Sequence, residues 1–405
     1  MKIAAGHFTY CTNIHAGESW TDHFESLKEK FPLIKAEVSR DQPMGIGLRL
    51  SNKASKDLQD YVKLEEFQLW MKENDAYVFT MNGFPYGDFH HAIVKDQVHT
   101  PDWTTAERLE YTLRLFEILA ELLPDGIDGG VSTSPLSYRH WYSSDVDSRK
   151  AMHLATGNMI SILEHLFLYK KNRGLVMHLD IEPEPDGLLE TGREFIDWYQ
   201  GMLVPMALKE LSTKHNLSNE DALEAIREHI RLCYDVCHFA IGYEPHHEIL
   251  AELSNCGIKV GKIQISAALK SDLPPEPESR TLISEAFFSF VEPTYLHQVV
   301  ARKTDGELIR YCDLPDALTD IQNPEVEEWR AHFHVPVFLK DLGFLESTQS
   351  DITEVLNIQC ATPFTNHLEV ETYTWEVLPD ILKMPIELSI SRELNWVKEV
   401  FRKNE

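Results

Sequence analysis

The 405-residue sequence predicts an α/β barrel of eight strand–helix units, and three observations carry that reading. Short apolar or alternating runs recur along the chain, with helical patterns between them. In several of these runs the ionisable residues fall on one face, where a closed parallel barrel would gather them. No Gly-x-Gly-x-x-Gly turn follows the first strand, which weighs against the rival fold, a doubly wound open sheet.

The first strand is expected over 2–13, with a helix over 19–31 behind it. Gly45-Ile46-Gly47-Leu48-Arg49-Leu50 is the second strand, followed by a helix over 53–73. The third, 77–83, opens into a long loop rich in Gly, Pro and aromatics, and 104–123 is helical. In that loop His90 and His91, beside Asp88, read as surface residues. Strands four and five, 126–133 and 174–182, flank a helix over 147–171. Helical pattern over 192–231 breaks near Asn216-Leu217-Ser218, where Ser218 suits an N-cap. Strand six is expected over 232–237, a helix over 245–254 with His246 and His247 exposed at its start, and strand seven over 258–266. The eighth strand is 367–372 and a last helix covers 385–403. The stretch between strands seven and eight is too long for one helix, so about 270–330 is read as an insertion within a single domain, 1–405. In it Val299-Val300-Ala301-Arg302 and Leu308-Ile309-Arg310-Tyr311 flank an Asp305-Gly306 turn, a β-hairpin pattern.

Composition excludes several classes. With 43% hydrophobic residues the chain can bury a large core. Its 65 acidic against 38 basic residues give a formal charge of -27, which repels phosphate backbones. That argues against nucleic-acid or anionic-membrane partners and for a soluble cytoplasmic protein. No run approaches a transmembrane span, and the N-terminus lacks the apolar stretch of a signal peptide. Six scattered cysteines without a Cys-x-x-Cys pair read as buried, reduced thiols.

The chemistry concentrates at strand ends. In His178-Leu179-Asp180-Ile181-Glu182-Pro183-Glu184 the ionisable residues alternate with apolar ones and would point into the barrel. An unpaired carboxylate there is costly, and a bound metal ion is one usual compensation. Strand six ends in Asp235-Val236-Cys237-His238. Strand seven places Lys262 and Gln264 on one face, and strand eight does the same with His367, Glu369 and Glu371. The insertion ends in Arg330-Ala331-His332-Phe333-His334-Val335-Pro336, with two histidines at i, i+2.

This order of residues resembles the xylose-isomerase-like TIM-barrel superfamily of sugar-phosphate isomerases and epimerases, which includes endonuclease IV. The shared pattern is Glu182, Asp235-x-x-His238, Gln264 where many relatives have His, a His-x-Pro loop containing His334, and Glu371. His7-Phe8-Thr9-Tyr10-Cys11-Thr12-Asn13-Ile14-His15 and Gln264-Ile265-Ser266-Ala267-Ala268-Leu269 also resemble the Ebo-cluster metabolite traffic group. The resemblance implies a divalent metal ion held by Glu182, Asp235, Gln264 and Glu371. An oxygen-rich set favours Mg²⁺ or Mn²⁺, whereas participation of His332 or His334 admits Zn²⁺, Co²⁺ or Fe²⁺. The implied chemistry is proton transfer through an enediolate of a polyhydroxylated small molecule, with Glu182 and Glu371 as base and acid. His238 and Lys262 would bond the developing oxyanion, and His238 is alternatively a ligand to a second metal. Asn13, His15, Asn82, Phe84, Arg330, His334 and Trp375 are the expected substrate contacts, Tyr86 joining Asn82 and Phe84 in the wall. Arg49, Arg139 and Arg330 are the candidates for holding a substrate phosphate.

Each assignment has a plainer rival. Glu182 and Asp235 could be salt-bridged core residues, Gln264 a core amide, His332 and His334 ordinary loop histidines, and Lys262 a structural partner of Glu182 or Asp235. His178 and Asp180 read as a buried polar pair rather than ligands. Two further function classes stay open: a non-catalytic metabolite-binding or trafficking protein on the same barrel, and an endonuclease IV-like metal nuclease. The charge opposes the second. The hairpin could cover the barrel mouth or reach a neighbouring subunit, so an oligomer is admitted.

Overall fold

Strand polarity and pairing define a (β/α)8 barrel in this computed structural model, which describes residues 1–87 and 93–403. His90 and His91 lie outside the described residues. A short β1 (Lys2–Ile3) pairs antiparallel with β2 (Gly6–Tyr10). The barrel strands are β2, β3 (Met44–Arg49), β4 (Ala76–Asn82), β5 (Gly129–Thr133), β6 (Met177–Ile181), β7 (Ile230–Asp235), β8 (Val260–Ile265) and the last strand, His367–Val370. The last strand pairs in parallel with both β2 and β8, and β8 back to β3 pair successively in parallel. Closure comes from a parallel bridge between Cys11 and Gly47, reinforced by the Thr9 hydroxyl donating to the Gly45 carbonyl at 2.7 Å.

Alternation fixes which side chains enter the lumen. In β6, Met177, Leu179 and Ile181 join the apolar core, while His178 and Asp180 turn inward. Both sets are buried, as a strand between helices and a filled barrel demands.

Several elements depart from the sequence expectation. The first helix runs Trp20–Val38, carrying Pro32 within it, because Phe31, Ile34 and Val38 continue its buried stripe. The expected 53–73 helix is two, Asn52–Asp57 and Tyr61–Glu73, the second started by Asp60 as N-cap. Cys237 lies in a short helix, Val236–Ile241, rather than on strand six, because the Asp235 carboxylate caps that helix at the His238 N–H. Ser218 caps its helix as expected. His246 is buried, its Nδ1 2.7 Å from the Tyr234 hydroxyl, whereas His247 is exposed. All six cysteines are free; Cys11, Cys233 and Cys237 are buried, but Cys312 is exposed.

Beyond β8 the chain builds a second, antiparallel sheet. Its strands are β9 (Ala267–Asp272), β10 (Val299–Lys303), β11 (Leu308–Tyr311), β12 (Val326–Val335), β13 (Asp341–Leu342) and β14 (Leu345–Ser347), in the order β11-β10-β12-β9-β14-β13. The last barrel strand is therefore β15. The Asp-Gly hairpin is β10–β11. The added sheet spans more chain than 270–330, since β9 leaves β8 after one residue. It puts His332 and His334 on β12, a strand and not a loop. Among the described residues, no helix is long and apolar enough to cross a membrane.

Candidate metal and substrate site

The C-terminal ends of β6, β7, β8 and β15 bring Glu182, Asp235, Gln264 and Glu371 together, all buried. Oxygens of Glu182, Asp235 and Glu371 lie within 4.8 Å of one another. Gln264 sits among them and donates its amide to Glu182 Oε1 at 3.1 Å, Asp235 Oδ2 at 3.2 Å and Glu371 Oε2 at 2.5 Å. Its Oε1 accepts from the Cys233 thiol at 3.1 Å. Gln264 thus faces the carboxylates with its donor, and ligation through Oε1 requires the amide to turn over.

Electrostatics divides the carboxylates. Burial, with Glu371, Asp235 and Glu184 nearby, pushes Glu182 well above the usual carboxylate range. Burial and the charges of Asp235 and Glu369 push Glu371 up to about 8. Burial also opposes ionisation of Asp235, but the adjacent His238 and His334, the Ser266 hydroxyl and the His238 N–H hold it below its ordinary value. Asp235 is the member that stays charged.

Three histidines close the other side. His238 Nδ1 is 3.0 Å from the Pro183 carbonyl, His332 Nδ1 2.9 Å from Gln298 Oε1, and His334 Nδ1 3.1 Å from the Glu371 carbonyl. Each partner oxygen is an acceptor, so each Nδ1 carries the proton and each Nε2 presents a lone pair. Gln298 is oriented for this by its own amide, which donates to the Pro185 carbonyl. His238 and His332 then face each other Nε2 to Nε2 at 3.1 Å, and His334 Nε2 is buried with no hydrogen-bond partner. Burial lowers the basicity of all three, His334 to about 4. Opposed lone pairs repel unless a shared proton or a metal ion lies between them.

The residues present therefore fit a divalent metal. Asp235 belongs both to the carboxylate set and to a second donor set with His238 and His334, again within 4.8 Å. Glu182 Oε2 is buried without a hydrogen-bond partner, an orphaned acceptor that a cation would satisfy. Each imidazole is held through its far nitrogen by an oxygen, as metal-ligating histidines are.

A cavity opens onto this cluster, walled by Asn13, Asn82, Phe84, His99, Glu184 and Tyr373 among others. Asn13 and Asn82 both donate to Glu371 Oε1, at 2.7 and 2.8 Å. The insertion forms the facing wall through Tyr295, Leu296 and Gln298.

Five expected residues lie elsewhere. Lys262 is sealed below the cluster against Glu369, whose charge outweighs burial and keeps the ammonium protonated. It pairs with neither Glu182 nor Asp235. His15 sits behind the wall, 3.1 Å from the Tyr10 hydroxyl. Arg330 is bound to Glu328, Asp351 and the Ala240 carbonyl. Trp375 packs against the core, and Tyr373, two residues earlier, is the aromatic that lines the cavity. Tyr86 packs on Tyr111 instead of lining it. Sequence reading missed His99 and Gln298. His99, 3.1 Å from Glu184 Oε1, lies in the long loop after β4, where no periodicity marks a side chain's direction.

The fold is shared with solved proteins. A xylose isomerase-like TIM barrel protein from Mycobacterium smegmatis, in complex with magnesium, matches at TM-score 0.51 and 9% identity, over 100% of this chain and 99% of that one. Looser likenesses are the IolI protein with a bound zinc atom, at TM-score 0.44 and 14% identity over 98% and 99% of the chains, and a xylose isomerase domain protein from Alicyclobacillus acidocaldarius, at TM-score 0.44 and 9% identity over 98% of each. No family model and no curated protein matches the sequence. The chain has the xylose isomerase-like TIM-barrel fold.

Proposed function

We propose that this chain is a divalent-metal-dependent isomerase or epimerase of an uncharged polyhydroxylated small molecule, a sugar or cyclitol. The observation that carries the reading is the pair of donor sets sharing Asp235, one of carboxylates and one completed by His238 and His334. A mixed oxygen and imidazole set suits Mn²⁺ or Zn²⁺ better than Mg²⁺. The Mycobacterium barrel, a protein of the same fold, holds magnesium. When bound, the ion supplies Lewis-acid polarisation of a substrate carbonyl, which acidifies the adjoining C–H.

The chain's own residues move the proton. Glu182 is the base, since its Oε2 is unpartnered and burial beside Glu371, Asp235 and Glu184 raises its proton affinity above that of an ordinary carboxylate. Glu371, held by Asn13 and Asn82, returns the proton. His238 presents a lone pair to the site and serves as ligand or acceptor, not as an oxyanion donor. Phe84 and Tyr373 offer apolar ring faces to the C–H side of the substrate, and Glu184 with His99 orients a hydroxyl.

The placement of the cations supports an uncharged substrate. Arg49 pairs with Glu18, Arg139 with Glu190 and Glu194, and Arg330 with Glu328 and Asp351. Lys95, on the cavity wall, is 2.6 Å from Asp313. Three glutamates share that wall.

The test is exchange in D2O with Mn²⁺ or Zn²⁺ and a panel of aldoses, ketoses and cyclitol ketones, followed by proton NMR. We expect at least one member to lose its signal alpha to the carbonyl, and Glu182→Gln to slow this ~10²–10⁴-fold. Absence of exchange across the panel by metal-loaded protein overturns the enzymatic reading. A second reading then gains, a non-catalytic metabolite-binding protein of the kind the Ebo-group resemblance suggests. Gln264 favours it, because its amide nitrogen, within hydrogen-bond distance of one oxygen of each carboxylate, offsets part of their burial without an ion. Calorimetric binding of a panel member in EDTA, with no exchange, would be its signature.

A further inference from the structure

The end of the barrel opposite the cavity carries a cleft of about 360 Å³ that the proposed reaction does not use. Three parts of the chain meet there. The β1 strand supplies Lys2, the segment after the first helix supplies Arg40 and Asp41, and the last helix, Ile386–Arg402, supplies Lys398 and Arg402. Met1 and Phe401, both buried, add apolar wall. Lys2, Arg40 and Arg402 are exposed and Lys398 is half-buried.

The charges in this cleft do not balance. Four cationic side chains line it against the single carboxylate of Asp41. Among the described residues none of the four makes an ion pair, in a chain with 65 acidic residues. Elsewhere, cations such as Arg49, Arg139, Arg330 and Lys95 are paired with carboxylates. Lys398 and Arg402 stand at i, i+4 on one helix, a spacing at which like charges repel. Burial and the charge of Arg402 hold the Lys398 ammonium below its ordinary proton affinity. Lys398 Nζ also donates to the Val38 carbonyl at 2.7 Å, which brings its charge to the end of the first helix, two residues before Arg40. Capping of helix C-termini is the plainer role for such cations. It accounts for one N–H of Lys398 and for Arg40 Nε, 3.4 Å from the Ala36 carbonyl. It leaves the terminal nitrogens of Arg40 unused, and Lys2 lies on a strand, where no helix dipole acts.

We propose that this cleft binds a small multivalent oxyanion of the phosphate class, held by Lys2, Arg40, Lys398 and Arg402. Each guanidinium can present two parallel N–H groups to a pair of phosphate oxygens, and each lysine adds a point charge. The anion neutralises like charges that the fold gathers from a strand, a helix end and a second helix. Because it binds the folded chain, occupancy raises stability.

Calorimetry tests this on the full chain, stripped of metal with EDTA and held at about 50 mM salt, where exposed charges are weakly screened. Inorganic phosphate and glycerol 3-phosphate are titrated separately. We expect saturable binding that weakens as sodium chloride is added and falls at least ~10-fold when Lys398→Met is combined with Arg402→Gln. Arg402→Gln alone, at an exposed side chain, is the gentler variant and should weaken binding with unchanged circular dichroism. Glu182→Gln should bind as the natural chain does. Tighter binding of inorganic phosphate would identify the free ion as the occupant, and tighter binding of glycerol 3-phosphate an organic ester; both support the site. No saturable binding of either anion, or binding that Lys398→Met with Arg402→Gln leaves unchanged, overturns the proposal. So does binding that Glu182→Gln abolishes, since the anion would then sit at the other end of the barrel.

Discussion

Lone pairs decide the chemistry at the scale of single residues. Gln298 touches no carboxylate of the cluster, yet it fixes which nitrogen of His332 faces the site. Removing such an outer hydrogen bond typically costs 10–100-fold in metal affinity. Gln298→Ala should therefore weaken Zn²⁺ or Mn²⁺ binding by that factor, read by competition with a chromophoric chelator, while unfolding stays cooperative. Affinity unchanged by the substitution would mean that His332 is no ligand. Glu182, Asp235 and Glu371 were legible in the sequence because a strand fixes side-chain direction to every second residue. Gln264 was legible by position but not by orientation, since which end of an amide faces a cluster depends on partners such as Cys233 from another strand. Lys262 had the expected inward face but the wrong depth, because register within the barrel decides whether a long side chain meets Glu369 or the mouth.

Whole elements carry consequences that no single site residue shows. The closing helix, Ile386–Arg402, buries Glu393, whose carboxylate accepts from the Thr372 hydroxyl at 2.7 Å and the Val337 N–H at 3.1 Å. Burial pushes its pKa up to about 7 from an ordinary 4.5. Between those values the folded chain keeps a proton that the unfolded chain has released. Stability therefore falls as pH rises through that window, by about 3 kcal/mol in full. Glu393→Gln keeps the acceptor and removes the titration. Its Tm should exceed that of the natural chain at pH 8 and converge with it near pH 4, whereas a pH-independent gap would contradict this account. Element types were readable from periodicity, and their ends were less so. The Asp235 cap that turns residues 236–241 into a helix, and the pairing of β9 with β12 that makes 326–335 a strand, both depend on partners distant in sequence. That pairing also explains why His332 and His334 are buried ligand candidates and not loop histidines.

At the scale of the molecule, the charge of -27 bears on partners more than on fold. We expect no shift of duplex DNA at 50 mM salt and no cleavage with Zn²⁺ or Mn²⁺ loaded. A salt-dependent shift would revive the nuclease reading. The eight-strand order was foreseeable from alternation and spacing alone. The reach of the second sheet was not, because hairpins and short edge strands leave weak periodic signals and their register is set by β9 and β12 together. That sheet contributes His332 and His334, and Gln298 comes from the segment leading into β10, so the cavity is built jointly by the barrel and the chain between β8 and β15. The most direct test of the central claim is metal content. Purified protein is loaded with Mn²⁺ or Zn²⁺, desalted, and analysed by elemental mass spectrometry beside Glu182→Gln and Asp235→Asn. The account predicts that each variant holds at least one equivalent less than the natural chain while keeping its circular dichroism. An equal metal content in all three proteins would contradict it.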